Sequence, residues 1–303
     1  MNSYFQDFIL RATGADSLEK IEDVQSLWSG YGMISRYRLT GSDTKRIITK
    51  HVKFPQQPTH PRGWNTNRSH QRKVVSYEVE SLWYQNHSSN CVEDCRIAQC
   101  LGQTVKDNEL LLILEDLDDS GYPVRKSTAT LPEMKACLAW LAHFHVTFLN
   151  QAPEGLWPVG TYWHLATRPD EFATLEDGEL KQSAGKIDQI LSACPYQTIV
   201  HGDAKLANFC FSVDGQRVAA VDFQYTGGGC GIKDVAYFIG SCLSEQDCAR
   251  YEQALLSFYF ATLACALAKQ KSSISAQAVE EAWRSLYPVA WTDFYRFLKG
   301  WSP

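Results

Sequence analysis

Between Thr198 and Phe223 the chain can fold only as short strands joined by a crowded polar loop. Thr198-Ile199-Val200 is followed by His201-Gly202-Asp203-Ala204-Lys205-Leu206-Ala207-Asn208, then by Phe209 to Ser212. Asp214-Gly215 supplies a hairpin turn before a third apolar run, Val218 to Val221, which leads into Asp222-Phe223. A loop that leaves one strand and enters the next brings Asp203, Asn208 and Asp222 close together at the mouth of a small sheet. That is the order of parts used for phosphoryl transfer. A loop carboxylate receives a hydroxyl proton, an Asn follows after a short spacer, and a later Asp before Phe serves magnesium.

The upstream half supplies what such a loop would face. Residues 1–20 read as a short amphipathic helix, with Phe5, Phe8, Ile9 and Leu18 as its contacts. From Ile21 the period becomes two, predicting strands over Ile21–Trp28, Met33–Leu39 and Arg46–Val52 with turns at Ser29–Gly32 and Thr40–Asp43. In the third strand Ile48, Lys50 and Val52 share a face. A lysine between two inward-facing aliphatics requires an anionic partner, because an unpaired buried ammonium is costly. Lys73 to His87 is helical, with Val75, Val79, Leu82 and Trp83 in one stripe and Tyr77, Glu80 and Tyr84 beside it. Glu80 is the expected partner of Lys50. Gly30-Tyr31-Gly32 fits an ordinary hairpin turn, or a turn folded over phosphates with Gly30 and Gly32 exposing backbone N–H groups. Phe54 to Arg72, with Pro55, Pro58, Pro61, Arg62 and Arg68, reads as a long loop: solvated, or a flap touching substrate. A hairpin over Arg96–Thr104 and Glu109–Glu115 follows. Its second strand, Leu110–Leu114, is continuously apolar and so buried on both faces. The abrupt turn chemistry after Glu115-Asp116-Leu117 sets the expected boundary between residues 1–116 and 117–303.

Beyond that boundary the pattern is helical. Thr130-Leu131-Pro132-Glu133 is a capping box opening a helix to about Leu149, whose His143 and His145 read as packed residues. Asp177 to Cys194 is another helix, stopped by Pro195. After Gln224, Tyr225 to Gly231 reads as a flexible or tightly turned loop. Helices then begin near Asp234 and after Ser244, and the last helices carry Trp283, Tyr287, Trp291, Tyr295 and Trp301 as a core stripe or the wall of an acceptor pocket.

Composition narrows the classes. With 29 basic and 34 acidic residues the net charge is −5, which argues against a nucleic-acid binder. There is no signal peptide and no apolar run long enough to span a membrane, so the ten cysteines are expected to stay reduced in a cytoplasm. Cys91, Cys95 and Cys100 fit no zinc spacing.

The residues divide the chemistry between them. Lys50 would hold the α- and β-phosphates of ATP, fixed by Glu80 through a charge-assisted hydrogen bond. Asn208 and Asp222 would give oxygen ligands to Mg2+. Asp203 would accept the acceptor hydroxyl's proton. His201 braces the loop, while Glu115 and Leu117 fall beside the nucleotide, with Leu117 against adenine.

These motifs resemble the aminoglycoside/choline phosphotransferase superfamily, and within it the ecdysteroid-kinase-like branch. The resemblance rests on Leu112–Leu117, His201-Gly202-Asp203 with Asn208, Val221–Gln224, Asp234–Phe238, and the Tyr77, Glu80, Trp83, Tyr84 pattern. It implies an α+β, two-lobed protein-kinase-like fold: an N-lobe of five antiparallel strands plus a helix, and a mainly helical C-lobe. It also implies transfer of the ATP γ-phosphate to a hydroxyl of an antibiotic, choline-like or steroid-like alcohol, with Asp203 as base and Asn208 and Asp222 on magnesium. The alternative is a kinase-like module that binds nucleotide or ligand without turnover.

Overall fold

The computed structural model describes residues 1–27, 30–54 and 67–301. The expected loop over Pro55, Pro58, Pro61 and Arg62, and the end of the first strand at Trp28, lie outside the described residues, while residues 67–72 of that expected loop are helical, so the helix expected from Lys73 starts earlier.

Helix α1 (Ser3–Thr13) starts where the Asn2 side chain accepts the Phe5 N–H and ends at Gly14, which caps it in the left-handed conformation. The helix is therefore shorter than residues 1–20. Strand β1 (Ser17–Ser26) begins before Ile21 and takes Leu18 with it, although Leu18 still packs on the cluster formed by Phe5 and Ile9. Strands β2 (Gly32–Thr40), β3 (Arg46–Lys53), β4 (Cys100–Lys106) and β5 (Glu109–Glu115) complete one antiparallel sheet of order β1-β2-β3-β5-β4.

Period-2 alternation divides β5 between two cores. Leu111 and Ile113 face α1 with Ile47, while Leu110, Leu112 and Leu114 join the main core with Val52. The strand is buried on both faces because each face meets a helix-bearing layer. Residues Arg96 to Gln99 do not belong to β4. Gln99 still bonds Glu115, but Arg96 and Ile97 turn aside to the second half of the molecule, where Ile97 bridges Ala220 and the Arg96 carbonyl accepts the Ala220 N–H.

Helix α2 (Asn67–Asn86) lies under the sheet. The C-terminal part is mainly helical: α3 (Leu131–Thr147), α4 (Pro169–Ala173), α5 (Gly178–Ser192), α6 (Ile232–Cys242), α7 (Glu245–Lys269) and α8 (Ala276–Trp301). The Thr130/Glu133 capping box opens α3, and Ser244 caps α7. Two small ladders carry the loop residues: β6 (Thr198–Val200) with β9 (Gly227–Gly229), and β7 (Phe209–Phe211) with β8 (Val218–Ala220). Strand β9 corrects the loop expected over residues 225–231. Three consecutive glycines carry no strand signal, yet their backbone pairs with β6, since tertiary pairing overrides the low strand propensity of glycine. A single α8 carries the aromatic stripe. Trp283 and Tyr287 are core, whereas Trp291 and Tyr295 stack on each other at the surface. Among the described residues no helix is long and apolar enough to cross a membrane.

Candidate active site

A cleft of about 690 Å3 lies between the sheet and the helical part, and Lys50, Glu80, Asp203, Asn208 and Asp222 all line it. Strand β3 delivers Lys50 from the inner face and α2 delivers Glu80, which is 1% exposed. The Lys50 ammonium lies 2.7 Å from Glu80 and 3.1 Å from Asp222 Oδ1. Burial alone would lower its pKa, but Asp222 and then Glu80 raise it, so the lysine is held protonated. Burial likewise opposes the charge on Asp222, yet Lys50, Lys205 and Lys73 hold that carboxyl well below the usual range.

Asp203 is arranged differently. Its Oδ2 accepts from Lys205 Nζ at 2.7 Å and from Asn208 Nδ2 at 3.1 Å, and its Oδ1 accepts from Tyr237 at 3.2 Å. Burial raises its pKa against the pull of Lys205, and the nearby Asp222 charge adds to the rise. Two carboxylates in one cleft are thus pushed in opposite directions, one towards a proton acceptor and one towards a fixed charge. Asn208 also bonds the Asp203 carbonyl through Nδ2 at 2.7 Å, which leaves its Oδ1 available as an oxygen ligand.

The loop backbone is held from behind. Asp234, at 0% exposure, accepts the N–H of His201 at 2.6 Å and of Gly202 at 3.0 Å, and its Oδ2 is 3.1 Å from His145 Nε2. His201 Nδ1 accepts the Asp203 N–H, so Nε2 carries the ring proton and donates to the Val221 carbonyl at 3.1 Å. This histidine braces the loop. Gly202 has a φ of +79°, and a Cβ there would stand 2.0 Å from the Tyr225 carbonyl oxygen. Only glycine fits between His201 and Asp203. Asp222 itself adopts a left-handed φ of 69°, and Gln224 steadies it, donating to Oδ1 at 2.6 Å while accepting from Ser76 and Lys73 of α2.

The remaining sequence candidates divide. Leu117 and Glu115 line the cleft, with Glu115 bonded to Arg96 and Ser120. Gly30 and Gly32 do not line it. The Gly30 N–H donates to the Leu27 carbonyl, and Gly32 belongs to the β2–β3 ladder, where a Cβ would meet the His51 carbonyl oxygen at 2.0 Å. Tyr31 between them lines the cleft instead. His143 and His145 are packed helix residues; His145 bridges Tyr259 and Asp234. Sequence reasoning assigned no role to Lys73, Lys205, Gln224 or Tyr237. One signal was available: Asp234 and Tyr237 lie three residues apart, on one helix face.

The family model of the ecdysteroid kinase-like family matches residues 170–272. None of the curated proteins matches the chain. Solved structures similar to it include an aminoglycoside-3'-phosphotransferase of type VIII, at 15% identity and TM-score 0.48, covering 95% of this chain and 99% of that one. Another is the aminoglycoside phosphotransferase APH(3'')-Id from Streptomyces rimosus, at 16% identity and TM-score 0.48, covering 96% and 100%. The same protein solved with ADP and streptomycin aligns with a TM-score of 0.47 and 16% identity, covering 95% and 98%.

Proposed function

We propose that this chain is an ATP- and magnesium-dependent phosphotransferase acting on a hydroxyl of a small molecule. The observation that carries the reading is the convergence of Asp203, Asn208, Asp222 and the Lys50–Glu80 pair on one cleft. The ecdysteroid kinase-like match, which spans Asp203, Asn208 and Asp222, supports it. Residues 1–116 then form the nucleotide-binding lobe and 117–303 the catalytic and acceptor lobe. We place the protein in the cytoplasm, where its free thiols stay reduced.

In this reading Lys50, kept protonated by Asp222 and Glu80, neutralises the α- and β-phosphates. Leu117 packs against the adenine. Asp222 and the Oδ1 of Asn208, unbonded among the described residues, are hard oxygen donors that suit Mg2+, which takes few protein ligands and keeps phosphate oxygens and water for the rest. When bound, the ion would neutralise charge developing on the phosphates. Among the described residues no cluster of three His, Cys, Asp or Glu competes as a metal site. Asp203 takes the proton of the acceptor hydroxyl as the acceptor oxygen bonds to the γ-phosphorus and the bond to the β-phosphate oxygen breaks, releasing ADP. Its raised pKa makes it the better proton acceptor of the two aspartates.

Thermal denaturation with Mg-ATP and ADP release over an alcohol library test the proposal. Asp203→Asn is expected to lower kcat by about 10²–10⁴ while leaving nucleotide-induced stabilisation in place. An active Asp203→Asn enzyme, or a wild-type protein that millimolar Mg-ATP does not stabilise, would refute it.

A further inference from the structure

An acceptor whose hydroxyl reaches Asp203 must lie against the remaining wall of the same cleft. Tyr162, Arg168, Tyr225 and Phe297 build that wall, and Arg72 and Lys73 of α2 join it. Arg168 is 8% exposed. Its Nε donates to the Tyr162 carbonyl and Nη1 to Glu171 at 2.9 Å, while Nη2 has no hydrogen-bond partner among the described residues. Arg72 donates to the Thr167 carbonyl and to Ser69 and approaches Glu171 only to 3.8 Å. The buried Glu171 carboxylate thus faces both guanidinium groups, and the Asp170 charge adds to it at Arg72. Lys73 bonds Gln224 and lies over the Tyr77 ring, with no carboxylate in ion-pair range among the described residues.

Tyr225 reports the resulting field. Tyr225 lines the cleft at 8% exposure, and its hydroxyl has no hydrogen-bond partner among the described residues. Burial should push that phenol up, yet Arg168, Lys73 and Arg72 bring it below its ordinary value. By contrast, every carboxylate lining the cleft is already paired: Glu80 and Asp222 with Lys50, Asp203 with Lys205, and Glu115 with Arg96. The carboxylates that line the cleft are thus neutralised while Arg72, Lys73 and Arg168 are only partly matched, a field that suits an anionic acceptor better than a polycationic one.

We propose that the acceptor is a hydroxyl compound carrying an anionic group (carboxylate, sulfate or phosphate) on a flat apolar body. Arg72, Lys73 and Arg168 hold the anion, the Tyr225 hydroxyl donates to it, and Tyr162 and Phe297 line the apolar body. This rests on the phosphotransferase reading. An oxyanion at the same place could also be the γ-phosphate of ATP. Lys50 and Lys205 already flank Asp222 and Asp203, however, and Arg168 comes from the segment before α4, outside the proposed nucleotide-binding residues 1–116.

The test uses three matched hydroxymethyl-naphthalenes bearing a carboxylate, a carboxamide or an aminomethyl group. Binding is measured by calorimetry with Mg-ADP present, and turnover by ADP release with Mg-ATP. The carboxylate is expected to bind at least about tenfold more tightly than the carboxamide, the gain of a charge-assisted contact, and the amine most weakly. Arg72→Gln should erase that preference and leave ADP affinity unchanged. Tyr225→Phe, which keeps the ring and removes one hydroxyl, should reduce it even if the arginine variant fails to fold. A panel in which charge makes no difference, whether all members bind or none, overturns the proposal, as does preference for the amine. Variants that raise the KM for ATP instead of the acceptor assign the cations to the γ-phosphate and also overturn it. Tighter carboxylate binding without ADP release from any member would uphold the subsite and sink the phosphotransferase reading alone.

Discussion

Replacing Asp234 with asparagine should unfold this protein more readily, although the residue sits behind the cleft and not in it. The carboxylate accepts from the N–H groups of His201 and Gly202 and from the imidazole of His145, all in a site with no solvent exposure. An asparagine has one acceptor oxygen. Oriented to keep the two donors on Oδ2, it turns its NH2 towards the Gly202 N–H, donor against donor. An orphaned buried N–H costs about 1–3 kcal/mol, and each of the two surviving bonds loses about 1 kcal/mol when the acceptor becomes neutral, so the sum is about 3–5 kcal/mol. Removing a buried charge could offset this, but the Asp234 pKa lies below its ordinary value of 3.8 despite burial, because His145 and the loop N–H groups outweigh desolvation. The native site therefore favours the charge. A depressed folded-state pKa adds stability that is present above the unfolded value and disappears as pH falls through the folded one. Urea denaturation at neutral pH should show the full deficit, and the gap between wild type and Asp234→Asn should narrow below about pH 4. A deficit under about 1 kcal/mol, or a gap that widens in acid, would refute the reasoning.

Three further outcomes follow from the same geometry. Lys50→Met strips the cation from Glu80 and Asp222 and should cost about 3–5 kcal/mol, with only the Glu80 part recovered in Lys50→Met/Glu80→Met; denaturation of all three proteins checks this. Gly202→Ala must place a Cβ 2.0 Å from the Tyr225 carbonyl at φ +79°, so a loss of about 2 kcal/mol or more in urea denaturation is expected, and an unchanged midpoint would contradict it. In the pH profile of kcat/KM, loss of activity on acidification should set in at a pH above the ordinary aspartate value, because the Asp203 pKa is raised and the base must be unprotonated. An acid limb at or below that value would remove Asp203 from the role.

Much of the fold was legible because it is local. Alternation marked β2 and β3, an unbroken apolar run marked β5, the Thr130/Glu133 box marked α3, and the strand–loop–strand grammar around Asp203 marked the cleft. Where local pattern was insufficient, the cause was tertiary. Strand β9 is three glycines, whose pairing exists only because β6 lies alongside. Of the two readings open for the Gly30–Gly32 turn, the geometry favours the ordinary one: the Gly30 N–H bonds the Leu27 carbonyl and Tyr31, not either glycine, lines the cleft. Neither outcome has a signature within a few residues of chain.

The sequence by itself picked out the residues that the proposed phosphoryl transfer would use, because residue type and spacing along a strand or loop are written in neighbouring positions. Only the tertiary structure decided how those residues are charged and what surrounds them. Lys50 meets Asp222 across 172 positions, and Trp163 bonds Asp293 across 130. Burial and field at such contacts arise when distant segments exclude water together, a property no local pattern encodes.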